Sequence, residues 1–174
     1  IGGDFHISSC VELTNICNFP TLARIDGSFS ISGCNHLTVI GEYPRVSRIG
    51  GSLSIQSNKS LPNLNGLSAL DTVESYFVLF YSLALTNIDS LHRLTYIGEF
   101  LQISNNFSLT DVDGLSSLSK IDGQLIITDN FALSNCCGLS NLFASNGVDT
   151  NRVTISGNPS FCSSFDDILY SCGI

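Results

Sequence analysis

The amino-acid sequence predicts a mainly β fold, a parallel solenoid of about seven coils of 24 residues with a disulfide-linked C-terminal cap. Three observations predict it. Ile1, Ile25, Ile49, Val73, Ile97 and Ile121 recur at a fixed spacing of 24 residues, aliphatic residues repeat at matching offsets within each unit, and the seven cysteines fall at ordered places. One unit turns only about six aliphatic side chains inward, too few for a core of its own, whereas stacked units build one continuous stripe. The chain is therefore read as a single domain over 1–174. Its coils run 1–24, 25–48, 49–72, 73–96, 97–120 and 121–148, with a final coil and cap over 149–174.

Each coil opens on a corner marked by Gly3, Gly27, Gly51 and Gly123, where a bend or a positive φ is most easily met by glycine. The pairs Phe29/Ile31, Leu53/Ile55, Leu101/Ile103 and Leu125/Ile127 follow, with the period of two that marks a strand buried on one face. Ser28, Ser30, Ser32, Ser52, Ser54 and Gln56 alternate with them as a solvated outer face. Asn58, Asn105 or Asn106, Asn130 and Asn158 mark the corner that leaves the strand. An amide repeated at such a bend is expected to bond backbone groups of adjacent coils. The remaining L-x-x-I-x-x-L stretch could read as helix. It is short, rich in Ser, Thr, Asp and Asn, and interrupted by Pro20, Pro44 and Pro62, so short strands and turns are expected, with at most one helical turn at L-x-x-L. Coils of this kind rise by about 4.8 Å each, which gives a rod of roughly 30 to 35 Å.

Composition narrows the function. Seven Lys and Arg against 15 Asp and Glu leave a formal charge of −8, which disfavours nucleic acid and anionic membranes as partners. No apolar run is long enough to span a bilayer. The first residue is Ile1, already in register, as expected of a processed form or a unit of a longer assembly. Cys10 and Cys34 stand one period apart, a separation a disulfide can bridge if the side chains point together. Cys136 and Cys137 precede an aperiodic tail that carries Cys162 and Cys172, and a disulfide-stitched end cap is the expectation there. Cys17 is the odd one. No C-x-x-C occurs and His6, His36 and His92 stand apart from the cysteines, so neither a metal nor a cofactor is expected. Asn58-Lys59-Ser60 and Asn106-Phe107-Ser108 are N-glycosylation sequons at one corner position. With the cysteines they predict a secreted or cell-surface glycoprotein.

The coils IGGSLSIQSNKSLPNLNGLSALDTV and IGEFLQISNNFSLTDVDGLSSLSKI resemble the receptor L-domain. That family is the leucine-rich right-handed β-helix of growth-factor and insulin receptor ectodomains and of fungal cell-wall surface proteins. The resemblance covers about residues 1–160 and rests on the run G-x-L-x-I-x-x-N-x-x-L-x-x-I-x-x-L-x-x-L. It implies an extracellular, disulfide-capped, often glycosylated module whose broad first sheet carries a binding face. It names no ligand, because the matched residues are those that build the coil.

The outer face breaks its own rule in VESYFVLFYS. There Tyr76, Val78 and Phe80 should point outward, Phe77 and Leu79 inward, and Phe100 and Ile126 should extend the apolar surface onto the next two coils. An aromatic patch on a flat sheet costs hydration unless a partner covers it. Two classes of function follow. One is a binding module that docks a protein partner, or more remotely a glycan, on this patch. The other is a structural component of a cell wall, sheath or surface filament built by self-association. An enzyme is not expected. Asp89, Asp111, Asp113 and Asp122 read as solvated turns, no serine stands in a nucleophile arrangement, and the first sheet carries no paired carboxylates. An ice-binding rank is excluded by the irregular column Ser8, Ser32, Gln56, Phe80, Ser104, Thr128, Ser156.

Overall fold

A computed structural model describes residues 1–174. Its strands, in chain order, are β1 (Phe5–Ser8), β2 (Phe29–Ser32), β3 (Arg48–Ile49), β4 (Leu53–Gln56), β5 (Thr72–Val73), β6 (Phe77–Phe80), β7 (Tyr96–Ile97), β8 (Leu101–Ser104), β9 (Lys120–Ile121), β10 (Leu125–Thr128) and β11 (Val153–Ser156). Two short α-helices, α1 (Ser140–Ala144) and α2 (Phe165–Cys172), lie toward the C-terminus. The main sheet has the order β1-β2-β4-β6-β8-β10-β11 and the second sheet the order β3-β5-β7-β9. Every pairing is parallel, so each return to the sheet passes once around the coil.

Register holds the repeat together. Leu53 pairs with Phe77, Phe77 with Leu101 and Leu101 with Leu125, and the Ile55, Leu79, Ile103 and Ile127 row runs beside them. All eight side chains have no exposed area, and together with the second-sheet and turn positions they form one buried cluster along the rod. Single 3-10 turns over Asn65–Leu67, Asp89–Leu91, Asp113–Leu115 and Cys137–Leu139 close the remaining side, each ending on the first leucine of L-x-x-L. The second sheet carries exposed ion pairs such as Arg48 to Glu74 at 2.7 Å, worth about 0–1 kcal/mol each in that setting. No helix is long and apolar enough to cross a membrane.

The expected asparagine column is a hydrogen-bonded ladder. Oδ1 of Asn58, Asn106, Asn130 and Asn158 accepts the backbone N–H of Cys34, Ser82, Asn106 and Asn130, in each case at 3.0 Å. Their Nδ2 groups donate to the carbonyls of Ile31, Leu79, Ile103 and Ile127. One rung is missing at Ser82, whose Oγ is buried without a partner.

The ladder overturns one expectation. Asn58 and Asn106 have no exposed area and both amide edges are occupied, so neither sequon presents an acceptor nitrogen in the folded coil. A glycan on either Nδ2 would remove a coil-to-coil bond and force a buried position into water.

The corners also differ from the sequence reading. Gly27 and Gly51 do not adopt a positive φ. A Cβ at Gly51 would sit 2.9 Å from the backbone of Gly27, so close stacking of coils, and not backbone handedness, requires the glycine. Left-handed backbone lies instead at the exit corner, where Ser9, Gly33, Ser57, Tyr81, Asn105, Asp129 and Gly157 all have φ between 53° and 69°. The supposedly solvated Ser52 and Ser54 are only 5% and 7% exposed, because neighbouring strands shade short side chains in the middle of a parallel sheet.

Disulfides join Cys136 to Cys162 and Cys137 to Cys172. The second ties the end of α2, and the first the segment just before it, to the coil of Cys136 and Cys137, and Ile168 of α2 is fully buried against the core. Ser164 caps α2 by accepting the backbone N–H of Asp167 at 3.1 Å, and Gly173 ends it in the left-handed region. Cys10, Cys17 and Cys34 are thiols, so the candidate bridge between Cys10 and Cys34 is open in this structure.

Candidate functional site: an aromatic surface on the main sheet

The surface is built by β6 and its neighbours. Alternation along the strand sends Phe77 and Leu79 into the core, both fully buried, and leaves Tyr76 and Phe80 half-buried on the outer face. Tyr76 lies one period from Phe100 and stacks on it, with ring centroids 5.1 Å apart and planes at 13°. Val78 is only 8% exposed and forms the floor between the rings. Gln56, Tyr76, Val78, Phe80, Phe100 and Gln102 enclose a shallow depression of about 380 Å³. Gln56 Nε2 donates to Ser54 Oγ at 2.7 Å, and no protein donor reaches its amide oxygen. A ring-walled floor with amide groups at its rim suits an apolar side chain flanked by backbone polar groups.

Four of the five sequence-predicted positions therefore come together. Ile126 does not, because Gln102 stands between it and Val78 in the pairing row of β6, β8 and β10.

Sequence reasoning missed the continuation of the surface around the exit corner. Phe80 contacts Tyr81 at 6.1 Å between ring centroids, Tyr81 meets Phe107 edge-on at 6.1 Å, and Phe107 stacks on Phe131 at 5.0 Å. Phe107 and Phe131 are 38% and 63% exposed. Their column reads Val11, Asn35, Lys59, Leu83, Phe107, Phe131, and the two consecutive phenylalanines at its end were the available signal. Tyr81 is the informative member. It occupies the left-handed corner at φ 53°, where other coils place Ser, Gly, Asn or Asp. A bulky residue held there opposes its backbone preference, a kind of strain that concentrates at functional sites.

No carboxylate lines the depression, and Tyr76 is its one titratable group. Among the aspartates singled out in the sequence, burial raises the Asp113 carboxyl, with Asp111 and Asp89 adding to the rise against the donation from Asn135. The Tyr96 hydroxyl, donating at 2.6 Å, lowers Asp122 with help from Lys120. Asp122 is thus engaged at the second sheet, while Asp113 belongs to the turn column. A larger groove of about 490 Å³ lies beside the disulfides, between Phe161 and Tyr170. Two of its polar side chains are engaged internally: Asn135 donates to Asp113 and accepts from Cys137, and Ser171 Oγ donates to Asp167 O.

Comparison with known proteins gives one family. The model described as Receptor L domain matches residues 85–172, half of the chain. No curated protein and no solved structure matches it. The matched segment contains Phe100, Phe107 and Phe131, while Tyr76 to Tyr81 lie just before it.

Proposed function

The chain belongs to the receptor L-domain family, and from that premise we propose that it is a non-enzymatic, extracellular or cell-surface module that binds a protein through the aromatic surface of β6, β8 and the adjoining corner. Family membership supports a ligand-binding module outside the cell, and the two disulfides are consistent with an oxidising setting. The observation that carries the choice of surface is the pair of ring groups beside one depression, Tyr76 stacked on Phe100 and the run Phe80, Tyr81, Phe107 and Phe131, with Val78 between them. Aromatic groups of this size on an otherwise serine-rich face are anchors for a partner rather than contributors to the core. The formal charge of −8 favours a neutral or basic protein surface as partner. An end cap is part of this reading: Cys137–Cys172 joins α2, and Cys136–Cys162 the segment before it, to the coil 121–148, which supports α2 as cover for the end of the core.

The test is the mass in solution by light scattering, for the native chain and for a variant with Tyr76→Ser and Phe80→Ser. Concentration-dependent oligomers lost in the variant make the partner a second copy, as a wall or filament component requires. Monomers in both cases assign the surface to a different protein. Oligomers of equal strength in both would place assembly elsewhere and remove the support for this surface.

A further inference from the structure

We propose that Cys10 and Cys34 form a disulfide-closing pair, a modification site at the opposite end of the rod from the two bridges already present. The proposal rests on register. Ser8 pairs with Ser32, and the next residues, Ser9 and Gly33, both turn through the left-handed region at φ 54° and 67°. The two chains therefore take the same corner, and the cysteines leave it one coil apart in the same orientation. Strand neighbours lie about 4.8 Å apart, inside the range of about 4.4–6.8 Å that a disulfide spans between Cα atoms. Each thiol donates to the carbonyl two residues back on its own coil, Cys10 to Ser8 and Cys34 to Ser32, as parallel neighbours would.

A second observation points the same way. The two cysteines begin the column that continues as Asn58, Ser82, Asn106, Asn130 and Asn158. Asn58 accepts the Cys34 N–H, which links the coil of Cys34 to the next one. A thiol is a poor acceptor for the Cys10 N–H, so the first coil lacks the amide clamp found further along. A covalent rung between the two sulfurs supplies that link.

Access sets the order of events. Cys10 is half-buried and Cys34 fully buried, and burial holds the Cys34 thiol above its usual range. The Cys10 thiolate attacks a low-molecular-weight disulfide such as oxidised glutathione and releases one thiol. Cys34 then loses its proton and attacks the Cys10 sulfur, releasing the second thiol. The protein gives up two protons and two electrons, and the small disulfide is reduced to two thiols. Cys17 is exposed and has no thiol one period away, since the residue there is Gly41, so its exchange with the small disulfide stops at a mixed disulfide that releases one thiol and forms no bridge within the chain.

Oxidised glutathione at neutral pH is the probe, followed by unfolding in denaturant, alkylation and peptide mapping without reduction. The expected result is a linked Cys10–Cys34 peptide, with Cys17 recovered in an unlinked peptide as the alkylated thiol or its glutathione adduct. Thermal unfolding should rise by on the order of 10 °C over the untreated protein, a shift absent in Cys10→Ser. Three alkylated thiols after treatment, or a bridge from Cys17 to either cysteine, overturns the proposal. Comparing treated and untreated samples of one native protein keeps the outcome readable even if Cys10→Ser folds poorly.

Discussion

Replacing Asn106 with alanine tests the ladder that joins the coils. Asn106 has no exposed area; its Oδ1 accepts the Ser82 N–H at 3.0 Å and its Nδ2 donates to Leu79 O, also at 3.0 Å. Alanine leaves the buried Ser82 N–H without its acceptor and takes the side-chain donor from Leu79 O. Each lost partner costs about 1–3 kcal/mol, so the expected loss is about 4 kcal/mol. That is a large share of the roughly 5–15 kcal/mol by which a domain is stable, and at about 2–4 °C per kcal/mol it lowers Tm by about 8–16 °C. Urea unfolding of the disulfide-bonded protein, followed by circular dichroism, measures it, with an unchanged slope showing that the denatured state is the same. A loss below about 1 kcal/mol for Asn106→Ala would mean that water satisfies these groups. The column would then be a row of solvated turns and the burial of both sequons would carry no weight.

Three further outcomes follow from the same geometry. Ser82→Asn should stabilise by about 1 kcal/mol: the spacing of the other rungs puts its Oδ1 at the Asn58 N–H and its Nδ2 at Ile55 O, in place of an unpartnered hydroxyl, and Tm reads the gain. Tyr81→Gly should leave stability within about 1 kcal/mol, since glycine takes this corner at Gly33 and Gly157, while removing the ring that joins Phe80 to Phe107 and weakening association in light scattering. Carboxyl titration by NMR should place Asp113 above the usual aspartate range and Asp122 below it. The sign differs for stability: the raised Asp113 disfavours the fold at neutral pH and recovers as pH falls through its folded pKa, whereas the lowered Asp122 supports the fold at neutral pH and loses that support as pH falls through its own.

The repeat was legible because every inward position recurs at one spacing, so that spacing alone puts Ile55, Leu79, Ile103 and Ile127 on one face. The amide ladder was legible for the same reason. The sequons were misread because the three-residue rule for glycosylation is local, while the column at Asn58 and Asn106 is a property of the stack, and burial decides between them. The left-handed corner escaped notice because Ser9, Gly33, Ser57, Asn105 and Asp129 share a backbone conformation and not a side-chain chemistry. Ser52 and Ser54 looked solvated because alternation gives the direction of a side chain and says nothing about shading by its neighbours. Of the aromatic surface, the half on β6 stood out against serines, while Phe107 and Phe131 sat in a corner column whose mixed members, Val11, Asn35, Lys59 and Leu83, concealed them. Ile126 was misjudged because the residue between it and β6 is Gln102.

That the outer rings serve a partner and not the core is tested most directly by the unfolding free energy of the Tyr76→Ser and Phe80→Ser variant, beside that of the native chain. Both rings are half-buried on the sheet face, so the expected loss is no more than about 2 kcal/mol for the pair. A fully buried ring costs about 3–5 kcal/mol when truncated, and a loss of about 6 kcal/mol or more would assign both rings to the core and contradict the binding surface.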